Sequence, residues 1–386
     1  MKNKPAFKII QDGSVTSPSG FLAHGFYCGL KRSGKPDISL IYSQQPCTVA
    51  AVYTKNSIKA APLIVTKNHL KKNRAQAVIA NSGNANCFTG DFGLLYAKQT
   101  AECVANLLNI KPTDVIVAST GIIGKPLPYD KISAACPTLV ENLSRDGGNL
   151  AAQGILTTDT FTKEIAVQFT LSGKKVTIGA CAKGSGMIAP DMATMLGFIT
   201  TDAAISSPML KLALKMATER SFNSISVDGC ISTNDMVTVM ANQLAKNPSI
   251  ITPNADFKIF YSALEHVCRD LAKKIVLDGE GATKFIEIIV NGAKTEKMAK
   301  KVALAVANSA LVKTAAFGSN PNWGRVAAAV GSVGLPVTEK DLKISFSPFT
   351  NKDITITVDM TLGKSSATVY TCDLSFDYVT INGKYN

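Results

Sequence analysis

Histidine is scarce in this 386-residue sequence, which holds only His24, His69 and His266. A hydroxyl or thiol nucleophile that depends on an imidazole base therefore has few partners to draw on. None of the nine cysteines forms a C-x-x-C pair, and the close pairing His266-Val-Cys268 has no further ligand type beside it. Reduced, mostly buried thiols are expected, and no metal site. No stretch reaches the roughly 18 uninterrupted apolar residues of a membrane span. The start, Met1-Lys-Asn-Lys-Pro5, is basic but no continuous apolar segment follows it, so no secretory signal is expected and the cytoplasm is the expected compartment. Aromatic residues are 7% of the chain, with one tryptophan, Trp323. The formal charge of +13 comes from scattered basic residues rather than a basic stripe interleaved with aromatics. That pattern argues against nucleic-acid binding and suits the steering of small anionic substrates.

What is present is an ordinary globular composition, 46% hydrophobic and 18% charged, long enough for one large domain or two smaller ones. Helix-like and strand-like segments are interspersed without a strict βαβ rhythm. Residues 77–80 form a short apolar run ending in Asn81-Ser-Gly-Asn-Ala-Asn86, and residues 115–118 another ending in Ser119-Thr-Gly121. Between them Leu94, Leu95, Ala101, Val104 and Leu108 mark one face of a helix that stops before Pro112. Ser207-Pro208 reads as a helix start, followed by Leu210, Ala213, Leu214 and Ala217. The stripe Phe257, Phe260, Leu264, Val267, Leu271 and Ile275 predicts a long helix, ended by the turn Asp278-Gly-Glu-Gly281 and followed by a strand over 285–290. A further strand is expected over 164–171. Such a mixture implies packed layers, whose order periodicity alone does not give.

The chemistry concentrates in Lys183-Gly-Ser-Gly-Met-Ile-Ala-Pro-Asp-Met-Ala-Thr-Met-Leu196, where Thr194 is the best-placed nucleophile. Ala193 before it is small enough to leave the connecting peptide bond open to attack. If that bond breaks, Thr194 becomes an N-terminus that carries hydroxyl and amine on adjacent carbons. An α-amine has a pKa of roughly 7.7–8.0, so a useful fraction is neutral near pH 7–8 and acts as base without any histidine. Elsewhere, Ser119-Thr-Gly-Ile-Ile-Gly124 follows a strand-like run and is able to present backbone N–H groups; a plain strand-ending turn has the same composition. It is not a phosphate loop, because Gly124-Lys125 is followed by Pro126 rather than a hydroxyl residue.

Pro190-Asp-Met-Ala-Thr-Met-Leu196 preceded by Lys-Gly-Ser-Gly resembles the self-cleavage site of the ornithine acetyltransferase (glutamate N-acetyltransferase) family. Matches run from Asn81 to Asn382, and include Asp228-Gly-Cys-Ile-Ser-Thr-Asn-Asp235 and Val312-Lys-Thr-Ala-Ala-Phe-Gly-Ser-Asn-Pro-Asn-Trp-Gly-Arg325. Both of these segments read as buried polar loops. The resemblance implies an α+β fold, a four-layer αββα sandwich of the N-terminal-nucleophile type over 1–282, with a smaller α/β domain over 283–386. It implies cleavage between Ala193 and Thr194 into fragments 1–193 and 194–386, which assemble as α2β2. It implies acetyl transfer from N-acetylornithine to glutamate through an acetyl-threonine, with acetyl-coenzyme A as a possible second donor and no resident cofactor. The same resemblance makes Thr194 the nucleophile, Thr120 and Gly121 the oxyanion donors, and Thr157, Lys183, Thr194, Glu280 and Asn382 the substrate contacts. The alternatives are a self-processing hydrolase, in which water takes the acyl group, and a binding protein with an inert precursor. Two departures carry expectations. The sequence ends at Tyr385-Asn386, one residue short of the family's Ser or Thr beyond the asparagine, so either that substrate contact is missing or the terminal carboxylate sits beside the pocket, and it is affinity rather than reaction type that this bears on. Asp191 stands where a neutral polar residue is usual, which alters the cleavage rate.

Overall fold

The computed structural model describes residues 7–189 and 195–384. The expected cleavage pair Ala193 and Thr194, together with Asp191, lies outside the described residues. The chain divides into two compact units. Among the described residues the first comprises 7–184, 195–220 and 232–271, and the second 185–189, 221–231 and 272–384.

The first unit is built on one continuous sheet that doubles back on itself. Its strands run in the spatial order Phe7–Ile10, Lys163–Leu171, Lys174–Lys183, Leu196–Thr201, Met236–Ala241, Ile38–Tyr53, Arg74–Asn81 and Val115–Ser119, with Phe21–Phe26 paired to the first half of Ile38–Tyr53. The fold-over lies in the long strand. Residues 38–42 pair with residues 77–81, Cys47 and Thr48 continue onto Ala75 and Arg74 after a register shift, and residues 48–53 pair with Met236–Ala241. Pro46 sits inside that shift, where a residue without an N–H leaves no ladder bond unmade and the strand bends.

Strict alternation then explains the layers. Ile41, Val78 and Ile116 face inward and share a core with Cys181, Leu196, Phe198, Met236 and Met240 from the other leaf. Their neighbours Leu40, Ile79 and Val117 face outward, against Val104 of the helix Gly90–Leu108 and Ile132 and Leu139 of Tyr129–Glu141. Both faces of these strands are thus buried, which is why they read as continuous apolar runs instead of alternating ones. The outer face of the second leaf is covered by the helices Ser207–Glu219 and Ala255–Leu277, the latter through Phe260 on Phe169 and His266 on Phe7. Helix, sheet, sheet and helix make the expected αββα sandwich.

The second unit has a sheet in the order Lys343–Phe346, Asp353–Asp359, Phe285–Ala293, Ser365–Cys372. Ile286, Ile288, Val290, Ile354, Ile356 and Val358 turn one face toward the helices Glu296–Ala307, Ala310–Phe317 and Trp323–Gly331. Thr295, Ser309 and Asn322 cap those three helices with their side chains. The segment 312–325 therefore departs from the buried polar loop expected of it. Val312, Ala315 and Ala316 have helical spacing behind the Ser309 cap and are buried, whereas residues 318–321 are exposed and Trp323 is 65% exposed. Among the described residues no helix is long and apolar enough to cross a membrane.

Candidate active site

The strand Val115–Ser119 delivers Thr120 and Gly121 at its end. Thr120 is buried, and its N–H donates to Asn81 O at 2.9 Å, so its hydroxyl is what remains to offer a ligand. Gly121 has φ +127°, and a Cβ there would lie 2.5 Å from the Gly83 carbonyl carbon and 2.6 Å from Asn84 N. Only glycine fits a backbone packed this closely on another backbone. Asn234 ties the same loops together, its Nδ2 donating to Ala85 O and Ser119 O at 2.7 Å each.

Lys183 is the last residue of the strand Lys174–Lys183 and is buried. Its ammonium donates to Thr120 Oγ1 at 3.4 Å and lies 3.9 Å from Asp159 Oδ2. A hydroxyl oxygen that accepts from an ammonium has its own hydrogen left to give, and is polarised toward giving it. Asp159 is the hub. It accepts from Lys163 Nζ at 2.7 Å, from Gly184 N–H at 2.7 Å and from Thr157 N–H at 3.0 Å. Burial works to raise its carboxyl, but Lys183, Lys163 and these hydrogen bonds outweigh that and hold it well below the usual carboxylate range. Two ammonium groups thus flank one carboxylate. Lys31 lies near them: burial pushes this side chain down to about 8, Asp37 and Asp159 oppose the shift, and Lys183 repels it. Sequence reasoning passed over Lys31 and Asp159. Asp159 stood inside a segment chosen for its first threonine, and Lys31 lay outside every motif singled out.

The three histidines have structural partners. His69 Nδ1 bonds Val115 O at 2.9 Å, His266 packs tilted against Phe7, and His24 packs beside Phe26. None lies against Thr120 or Lys183 in these contacts.

In the second unit Glu280 is buried. Its N–H donates to Ser185 O at 3.1 Å and its Oε2 accepts from Asn382 Nδ2 at 2.8 Å. A Cβ at Gly186 would lie 2.2 Å from that same oxygen, so the glycine makes room for the carboxylate. Asn382 reaches it from the helix Phe376–Gly383, whose start is clamped on the Glu280 turn. Ser375 Oγ donates to Gly281 O at 2.6 Å, and Gly281 at φ +68° passes so close that a Cβ would lie 2.4 Å from Tyr378 N. Two carboxylates hold the backbone on either side of the expected cleavage pair. Asp228 accepts from Met187 and Ile188 N–H at 2.7 and 3.0 Å, and Asp235 from Met195 N–H at 3.0 Å.

Of the expected residues, the first unit thus gathers Thr120, Lys183 and, through Asp159, Thr157, with Gly121 next in chain to Thr120. The second unit joins Glu280 to Asn382. Thr194 and Ala193 lie outside the described residues.

A strand-end hydroxyl held by a buried lysine, on an αββα sandwich, is the arrangement of an α+β enzyme. The chain belongs to the ArgJ family, whose pattern matches residues 22–386. It is 46% identical to the arginine biosynthesis bifunctional protein ArgJ of Caldanaerobacter subterraneus subsp. tengcongensis, over 97% of this chain and 99% of that protein. The protein of the same name from Symbiobacterium thermophilum is 47% identical, over 97% and 98%. Among solved structures, an ornithine acetyltransferase complexed with ornithine from Mycobacterium tuberculosis aligns at 38% identity with TM-score 0.45, covering 48% of this chain and 98% of that one.

Proposed function

We propose that this protein is a self-activating N-acetyltransferase of arginine biosynthesis that moves acetyl from N-acetylornithine to glutamate in the cytoplasm. The observation that carries the reading is the Lys183 ammonium on the Thr120 hydroxyl at the end of Val115–Ser119. It supplies a preorganised donor in a water-poor setting, in a chain of the ArgJ family.

Thr194 Oγ attacks the Ala193 carbonyl and displaces the Thr194 nitrogen, giving an ester; water hydrolyses that ester to an Ala193 carboxylate, the chain separates, and Thr194 is left with a free hydroxyl and an α-amine that becomes the base. In turnover the hydroxyl adds to the acetyl carbonyl of N-acetylornithine and passes its proton to the amine. Thr120 Oγ–H and Gly121 N–H hold the oxyanion, and the leaving ornithine amine takes the proton. Glutamate enters, its amine attacks the acetyl-threonine ester, and N-acetylglutamate leaves. The buried Lys183 ammonium suits a substrate carboxylate, with Thr157 as a neighbouring hydroxyl. Glu280, oriented by Asn382, suits an ammonium group. Acetyl-coenzyme A fits the same nucleophile as a second donor, and no resident cofactor is needed. The family resemblance supports assembly of two cleaved chains as α2β2.

The test is a turnover assay with intact-mass analysis. Purified protein should appear as two fragments, the second starting Thr-Met-Leu-Gly-Phe, and should release ornithine and N-acetylglutamate in equal amounts with ping-pong kinetics. Thr194→Ala should remain one chain and transfer nothing. Thr120→Ala should lower kcat by roughly 10²–10³ if its hydroxyl serves the oxyanion. Acetate in place of N-acetylglutamate would make the protein a hydrolase instead.

A further inference from the structure

Asp235 belongs to none of the roles above, yet it is the described side chain bonded to the peptide that joins Thr194 to Met195. The strands Leu196–Thr201 and Met236–Ala241 run parallel with Leu196 opposite Met236, which sets Asp235 beside Met195 just ahead of both strands. Its Oδ1 accepts the Met195 N–H at 3.0 Å, and the Met236 N–H donates to Met195 O at 3.1 Å. Met195 is thus held at both of its backbone polar groups. Asp235 is itself fixed, since its own carbonyl accepts from Thr54 N–H at 3.0 Å and its side chain is fully buried.

Covalent geometry makes this contact matter. A peptide unit is planar, so holding its N–H and the following Cα fixes the direction in which the chain leaves toward the preceding residue. Cleavage before Thr194 breaks the peptide on its other side and leaves this one intact. After cleavage Thr194 has a single covalent neighbour, Met195, so the anchored peptide becomes its one covalent tie to the fold.

The anchor is also costly as a purely structural device. Oδ2 finds no hydrogen-bond partner among the described residues, and a buried acceptor left unmet opposes folding. Burial pushes the Asp235 carboxyl well above the usual carboxylate range. The Met195 N–H, the Ser232 hydroxyl, the Lys183 ammonium and the Thr54 hydroxyl all favour the ionised form but do not offset it. A serine or asparagine would bond the same N–H without burying a carboxyl.

Taking Thr194 as the nucleophile, we propose that Asp235 is its positioning residue: its carboxyl tethers the Thr194–Met195 peptide, so that one anchor aligns the threonine for self-cleavage and for acetyl transfer. The test compares Asp235→Ala, Asp235→Asn and Thr194→Ala, following precursor cleavage by denaturing mass spectrometry and turnover with N-acetylornithine and glutamate. Misplacing a reacting group by about 1 Å costs on the order of 10²-fold. Asp235→Ala should therefore slow cleavage and lower kcat by about that factor, with KM for N-acetylornithine changed less than about threefold. Asp235→Asn keeps an acceptor at the same place and should recover about tenfold of the loss in both rates. Asp235→Ala cleaving and turning over at wild-type rates, or Asp235→Asn falling as far as alanine, would overturn the tether. If Asp235→Ala gives no cooperative melting transition, Asp235→Glu replaces it. Glutamate displaces the acceptor by one methylene and should lose both rates relative to asparagine, and glutamate at wild-type rates overturns the tether equally. Thr194→Ala separates the two ideas. Transfer by that variant removes the nucleophile itself, whereas an inert Thr194→Ala beside an unimpaired Asp235→Ala removes only the tether.

Discussion

At the scale of single residues, the first unit stakes most on Asp159. Its side chain and that of Lys163 are fully buried, and Lys183 is 3% exposed. Removing one partner of such a group leaves charge buried without compensation, which costs about 3–5 kcal/mol. Asp159→Asn should accordingly lower stability by an amount of that order and show a clear fall in Tm by calorimetry. The pH dependence has a definite sign. The folded-state value of this carboxyl is depressed, so its contribution is complete above the unfolded value of about 3.9 and is lost as pH falls below it. Wild type and Asp159→Asn should then converge in stability only in acid, below about pH 4; a constant gap down to pH 2 would refute the ion-pair account. Lys183 and Thr157 were visible in the sequence through their motif resemblance, but Asp159 was not. Its importance arises because residues far apart in sequence, the end of Lys174–Lys183 and the turn before Lys163–Leu171, meet through antiparallel pairing.

At the scale of elements, much of the local structure was legible. The helix expected between residues 94 and 108 is Gly90–Leu108, ended by Asn109 in the left-handed region, and the long apolar stripe is Ala255–Leu277. Strands expected over 164–171 and 285–290 are Lys163–Leu171 and Phe285–Ala293. The strand Ile38–Tyr53 was not legible, because Gln44-Gln45-Pro46 interrupts its pattern. That interruption is the bend that lets one sheet form two layers. The C-terminal helix is a second case, since the sequence carries Asn382 but not the clamp that aims it. Gly281 provides that clamp, at φ +68° and with no space for a Cβ beside Tyr378 N. Gly281→Ala combines a strained backbone, about 1–3 kcal/mol, with that collision, and should release Phe376–Gly383 from the Glu280 turn. Hydrogen exchange at residues 376–384 should quicken several-fold while the sheet around Phe285–Ala293 stays protected. Unchanged exchange at 376–384 would show that the helix is held by other contacts.

At the scale of the whole molecule, the position of the expected cut decides what becomes of the pieces. The bond between Ala193 and Thr194 falls between two sheet neighbours, Lys174–Lys183 and Leu196–Thr201, which pair antiparallel from Ile178↔Thr201 to Lys183↔Leu196. The first strand of fragment 194–386 is therefore held on one side by fragment 1–193. On its other side lies Met236–Ala241 of its own fragment, which is in turn paired to Ile38–Tyr53 of the first. The shared core repeats the pattern, with Phe198 and Met240 from one fragment against Ile41, Val78 and Ile116 from the other. Separating the fragments would expose that core and break two strand pairings, a cost comparable to unfolding the unit. The two fragments should then co-elute in non-denaturing size-exclusion chromatography at high salt, where charge–charge attraction is screened within about 3 Å. They should resolve only in denaturant, at the midpoint where circular dichroism is lost. Because unfolding of the cleaved protein also separates its fragments, its midpoint should rise with protein concentration, whereas that of uncleaved Thr194→Ala should not. Fragments that elute apart at high salt while each retains its secondary structure would mean that the sheet pairing across the cut contributes little, and that each fragment is a folded body in its own right.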